Sequence, residues 1–139
     1  MGGRGAFIGK TNMLKDQKFK TVLRIGNIRV IEPVSENELP KTPTLSRTSR
    51  AIYATLTSDG KPKQITVYGK NREKLYDLDL DHDHTNGQFP SGHVQYYNNG
   101  VRSKKYEQPN LTQLKLIQQL TNGLEAADYE KRSANKKRT

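Results

Sequence analysis

The chain has 139 residues, no cysteine and no tryptophan, and its 24 Lys and Arg outnumber its 14 Asp and Glu for a formal net charge of +10. That length fits one domain. The lack of cysteine excludes disulfides and thiolate metal centres, and no apolar run reaches the length of a membrane span. Only 32% of the residues are hydrophobic, so the core is expected to be thin and the ends flexible, because low hydrophobicity with high charge cannot offset ordering entropy.

Residues 1–16 are Gly-rich and basic and read as a flexible arm. The segment Gly3 to Thr11 ends like a phosphate-binding loop, but Gly3 leaves five residues before the Gly9-Lys10 pair and Gly5 leaves three, where four are needed. Nucleotide hydrolysis is therefore excluded. The opening Met1-Gly-Gly-Arg-Gly lacks the apolar stretch of a signal peptide, so a soluble, reducing compartment is the expectation.

From residue 17 to 130 the pattern predicts one α+β domain. Lys18 to Ile31 is rich in Val, Leu and Ile and is broken by Gly26-Asn27, which predicts two short strands around a turn or one bent strand. Glu32 to Ser49 carries Pro33, Pro40 and Pro43 and has no regular period, so it reads as a linker or long surface loop. Ala51–Thr57, Lys63–Tyr68 and Lys74–Leu80 predict three antiparallel strands joined by Ser58-Asp59-Gly60-Lys61 and Gly69-Lys70-Asn71-Arg72. Alternation puts Ile52, Ala54, Leu56, Ile65, Val67, Tyr76, Leu78 and Leu80 on a core face, and Tyr53, Thr55, Tyr68 and the aspartates on the other. His93–Tyr97 predicts a fourth strand.

Asn110, with Gln113 three residues on, predicts a capping box. Leu111, Leu114, Ile117, Leu120 and Leu124 follow at helical spacing. The helix either ends at Gly123 or runs on through Ala126 and Ala127. Residues 131–139 read as a disordered basic tail. The expected fold is α+β: a small, mostly antiparallel sheet of four or five strands packed by this C-terminal helix.

All three histidines fall within twelve residues, His82, His84 and His93, beside the alternating Asp77, Asp79, Asp81 and Asp83. Histidine titrates near neutral pH and is the commonest metal ligand. On a continuing strand His82 and His84 share a face about 6–7 Å apart. That spacing suits an acid and a base flanking one phosphate, or two ligands of one metal with His93 as a third. An EF-hand reading fails, because a loop starting at Asp77 puts His82 where Gly is required and Gln88 where Glu is required. If Val94 faces the core, His93 points away from His82 and His84. A polar turn is the plain alternative for the whole cluster.

The positive charge is spread along the chain, which favours a polyanionic partner, nucleic acid ahead of a membrane surface. Tyrosines interleave with the cations: Arg50 with Tyr53; Lys63, Tyr68, Lys70 and Arg72; Tyr96 and Tyr97 with Arg102, Lys104, Lys105 and Tyr106. Such pairs suit stacking on unpaired bases beside phosphate contacts, RNA in particular. Tyrosine as a mere strand former is the other explanation.

Residues 49–97 resemble a domain of phage head-morphogenesis proteins and of bacterial polymorphic toxins. The likeness lies in Ala51-Ile52-Tyr53-Ala54, Ser58-Asp59-Gly60-Lys61, Leu78-Asp79-Leu80-Asp81-His82-Asp83-His84 and Pro90-Ser91-Gly92-His93-Val94-Gln95. The opening residues also look like the start of many prophage proteins. The resemblance implies a small ribonuclease-like or toxin-like protein with His82, His84 and His93 at its polar centre, located in the host cytoplasm or in the virion, with phage structural proteins as further partners. No cofactor is called for. The chain departs from the pattern where two residues separate Pro90 from His93 and where Gln95 replaces a second histidine. Two functions are thus open: a phosphodiesterase acting on RNA, and a non-catalytic phage accessory protein that binds nucleic acid. A structural metal site is a third.

Overall fold

Gly26, at φ +59°, and Asn27 turn the chain so that β1 (Phe19–Ile25) and β2 (Ile28–Pro33) pair as an antiparallel hairpin. The computed structural model describes residues 18–35, 38–80 and 92–138, with 129–138 as helix backbone alone. The expected N-terminal arm lies outside the described residues. β2 pairs in parallel with β3 (Ile52–Leu56), through Ile28↔Ile52 to Val30↔Ala54. Parallel neighbours cannot be joined by a tight turn and need a long crossover. Residues 34–51 are that crossover.

From β3 onward each strand pairs antiparallel with the next: β4 (Pro62–Tyr68), β5 (Lys74–Asp79), β6 (His93–Asn98) and β7 (Val101–Arg102). Strand order follows chain order in one seven-stranded sheet. The α+β, mostly antiparallel architecture is the expected one, but the sheet is larger than four or five strands. Both halves of the 18–31 stretch are strands, and β7 is too short to show alternation.

One face is apolar and lies under the helix. Ile28, Val30, Ala54, Ile65, Leu78 and Val94 are buried there with Leu120, and Ile25, Ile52, Tyr76 and Tyr96 pack around them. The helix, α1 (Leu111–Arg138), begins with the expected reciprocal cap. Gln113 N–H donates to Asn110 Oδ1 at 2.9 Å, and Asn110 N–H donates to Gln113 Oε1 at 2.8 Å. The cap turns Gln113 inward, where its Nε2 donates to the Tyr96 hydroxyl at 3.1 Å. The buried stripe is therefore Gln113, Leu116, Ile117, Leu120 and Leu124. Leu111 and Leu114 of the expected stripe are exposed. α1 runs past Gly123 to Arg138 rather than ending there. A Cβ at Gly123 would collide with the Ile25 side chain, so this glycine permits close approach of helix and β1. Among the described residues no helix is long and apolar enough to cross a membrane.

The other face was expected to be simply the non-core side of the meander. It is covered by the crossover instead. Phe19, Ile31, Ala51, Tyr53 and Tyr68 form a second buried cluster there, with Tyr53 edge-on to both Phe19 (5.2 Å) and Tyr68 (5.1 Å). The crossover supplies the polar partners. The Tyr68 hydroxyl donates to Pro43 O at 2.6 Å, Arg47 N–H donates to the Tyr53 hydroxyl at 2.9 Å, and the Arg47 guanidinium covers the Phe19 ring at 3.9 Å. A loop without regular period can cover a sheet in this way because Ser, Thr and backbone groups satisfy most of the buried polar atoms; among the described residues the Thr55 hydroxyl and Gln95 Oε1 on this face have no hydrogen-bond partner.

Candidate functional site

Of the three histidines, His82 and His84 lie outside the described residues. His93 opens β6 and is only 3% exposed. Its neighbour Val94 is buried under the helix, so alternation turns His93 to the crossover face with Asp77 and Gln95. Asp79 sits directly opposite His93 in register. Asp79 Oδ2 lies 3.6 Å from His93 Nε2, just beyond hydrogen-bond distance. The Tyr106 ring stacks on the imidazole, with centroids 4.2 Å apart and planes tilted by 33°. His93 is thus a held, buried imidazole. Among the described residues no group of three or more His, Asp or Glu is placed to share a metal.

The same face carries a chain of hydrogen bonds centred on Asp77. Thr66 donates its hydroxyl to Asp77 Oδ1. The proton between Thr42 and Thr66, 2.6 Å apart, must then come from Thr42. The Tyr97 hydroxyl donates to Asp77 Oδ2 at 2.7 Å. Burial, with this donation and the Asp77 charge behind it, pushes the Tyr97 phenol well above its ordinary value. Burial alone is the leading cause of the same upward push at Tyr68. A register shift between Val67 and Tyr68 pairs Tyr68 with Lys74 and brings Lys74 to this face. Lys74 Nζ reaches Asp77 at 3.4 Å and lies 5.4 Å from the Tyr97 ring centre.

Three expected phosphate contacts meet at one end of the sheet. Arg50 precedes β3, while Lys70 and Arg72 sit in the β4–β5 turn. Arg50 N–H and Arg72 N–H both donate to the carbonyl of Gly69 at 3.0 Å. Ser49 Oγ donates to Lys70 O at 2.8 Å, and Ser46 N–H to Arg72 O at 2.9 Å. Arg50 (φ +57°) and Arg72 (φ +68°) are in the left-handed region, which costs a residue with a Cβ about 1–2 kcal/mol. All three side chains are exposed. The result is a cationic platform whose backbone is pinned at a single carbonyl.

The remaining expected contacts are dispersed. Lys63 is half-buried in β4, and Arg102, Lys104 and Lys105 are exposed on β7 and the segment after it. Tyr97 is half-buried against Asp77. Tyr53 and Tyr68, expected to stack on bases, are buried inside the second cluster and offer no free ring face. Sequence reasoning passed over Lys74, Thr42 and Thr66, and it offered Tyr106 for base stacking, whereas its ring lies on His93. Alternation had already grouped Asp77 and Asp79 with Tyr53 and Tyr68, but their partners depend on cross-strand register and on the crossover. Comparison with protein families, characterised proteins and solved structures finds no match to this chain.

Proposed function

We propose that this chain is a nucleic-acid-directed basic protein that grips a phosphate backbone with the platform of Arg50, Lys70 and Arg72. The observation that carries the reading is the pair of left-handed arginines bonded to the Gly69 carbonyl. Glycine would adopt that backbone without steric cost. Arginine in both places is explained if the guanidinium groups are used, and strained residues of this kind cluster at functional sites. The fork of a guanidinium matches phosphate oxygens. The net charge of +10 adds a long-range attraction to the same partner.

The experiment is a mobility-shift titration with single-stranded RNA and with duplex DNA at two salt concentrations. Binding should weaken steeply with salt, because phosphate contacts release counterions. Absence of a shift with either nucleic acid at low salt would refute the reading. RNA is the favoured ligand and a phage accessory role the favoured context, both on the strength of the resemblance.

A second reading, a toxin-like phosphodiesterase, is supported by the Asp79–His93 pair. Asp79 and Tyr106 hold this imidazole at the end of the strand from which the His82–His84 segment departs. In this reading His82 and His84 exchange protons with the substrate, and the buried His93 acts as a positioning residue. Incubating RNA with the protein, with and without a chelator, tests it. Intact RNA under both conditions would leave the binding reading alone.

A further inference from the structure

Lys74 is a cation whose surroundings are out of balance. Its side chain is only 15% exposed. Among the described residues its ammonium meets one acceptor group, the Asp77 carboxylate, and at 3.4 Å this is at the long limit of a hydrogen bond. Asp77 has better donors already: the Thr66 hydroxyl holds one oxygen and the Tyr97 hydroxyl, at 2.7 Å, holds the other. An ammonium carries three donors, and this one leaves most of its capacity unused while largely shielded from water.

Two more cations act on Lys74. Arg102 is the direct cross-strand partner of Tyr97, so its side chain leaves the sheet on the side of Tyr97 and Lys74. Lys41 adjoins Thr42, which is bonded to Thr66 within the Asp77 chain. Burial lowers the Lys74 pKa; Asp77 works against that, and the charges of Arg102 and Lys41 lower it further. Arg102 and Lys41 therefore both repel Lys74, whose carboxylate partner already accepts a hydroxyl proton on each oxygen. A partly buried excess of positive charge is stabilised by an anion that accepts from several donors at once. A phosphate group carries about two negative charges near neutral pH and has oxygens spaced for a guanidinium fork.

We propose that Lys74, Arg102 and Lys41 form a binding site for a phosphate group on the crossover face, over the Tyr97–Asp77 pair. Its three cations are different residues from those of the Arg50–Lys70–Arg72 platform, of which Lys70 and Arg72 lie in the turn just before Lys74. Free phosphate and the terminal phosphate of an oligonucleotide present the same chemistry, and either would fill it.

The test is the melting temperature of the whole chain in inorganic phosphate against chloride at equal ionic strength, for wild type, Lys74→Met and Arg102→Met. Phosphate stabilises many proteins without binding, so the readout is the difference between wild type and variants. Wild type should gain a saturable rise in Tm that Lys74→Met loses and Arg102→Met reduces. Arg102 is exposed, so its replacement leaves the fold intact and decides the matter if Lys74→Met fails to fold. An equal rise in all three proteins would overturn the proposal. A short RNA with and without a 5′-phosphate separates the sources: tighter wild-type binding of the phosphorylated strand, lost in the variants, assigns the site to nucleic-acid ends, whereas a phosphate effect alone assigns it to the free ion. Salt-dependent RNA binding without any phosphate effect would refute this site and leave the platform standing. A phosphate effect without RNA binding would do the reverse.

Discussion

The two faces of the sheet are covered in opposite ways. Under α1 the buried side chains are Ile, Val, Leu and Ala, and the contact is held by shape and loss of water. On the other face, under the crossover and the Ser103–Tyr106 segment, the buried set includes Thr42, Ser46, Thr55, Thr66, Asp77, His93 and Gln95, each needing a partner. An apolar face tolerates any neighbour of the right volume. A polar face is specified bond by bond, and it holds the groups able to do chemistry: Asp79, His93, Tyr97 and Lys74. In this chain the helix side carries most of the apolar burial, and the crossover side, with the cationic end beside it, carries the polar and charged groups on which the proposed function rests.

The largest expected effect lies on the helix side. Leu120 is fully buried, and Leu120→Ala should cost about 2–5 kcal/mol through lost burial and a residual cavity. Leu114→Ala, at a side chain 39% exposed, should cost less than about 0.5 kcal/mol. Urea unfolding of the two variants would check this. Equal losses would mean that the stripe turns as spacing alone suggests, with Leu114 inward.

Asp77→Ala tests the crossover side. It would strand the Thr66 and Tyr97 hydroxyls and the Lys74 ammonium, at a cost of about 2–4 kcal/mol. Adding Lys74→Met should recover part of that loss, because the most expensive orphan is then gone. If Asp77→Ala melts with wild type, the hydrogen-bond chain contributes nothing and the contrast between the faces fails.

The same face predicts a loss of stability in alkali. The Tyr97 and Tyr68 phenols have raised pKa values in the fold, both chiefly through burial. The unfolded chain releases these protons first, near pH about 10. The folded state then holds more protons than the unfolded state, so stability is intact below that pH and falls as pH rises above it. Urea midpoints measured across that range should drop for wild type and drop less for Tyr97→Phe. An identical decline in both would place the titrating groups elsewhere.

How much of this was legible depended on whether a feature is local. The Asn110–Gln113 capping box involves residues three apart and was read directly. So were the meander and the shared face of Asp77, Asp79, Tyr53 and Tyr68. The inward turn of Gln113 was not, because it depends on the Tyr96 hydroxyl across the core. Nor was the role of Gly123, which looks like a helix stop until Ile25 is set against it. The crossover was the largest omission. Its prolines and hydroxyl residues carry no period, and the parallel pairing of β2 with β3 that stretches it over the sheet is a long-range choice. At the site, Arg50, Lys70 and Arg72 were chosen for charge; their common anchor on Gly69 and the left-handed backbone had no sequence signal. His82 and His84 lie outside the described residues.

The smallest expected stability change accompanies the most informative measurement. Replacing both Arg50 and Arg72 with glycine relieves left-handed strain, so thermal stability should hold or rise, by up to about 1 kcal/mol per site. The same double variant should bind single-stranded RNA more weakly, with a salt dependence lowered by about one ion per lost contact. Measured side by side, a Tm at or above wild type together with reduced, less salt-sensitive RNA affinity is the predicted result. Unchanged affinity and salt dependence would contradict the account, since the strained arginines would then have no part in holding a nucleic acid.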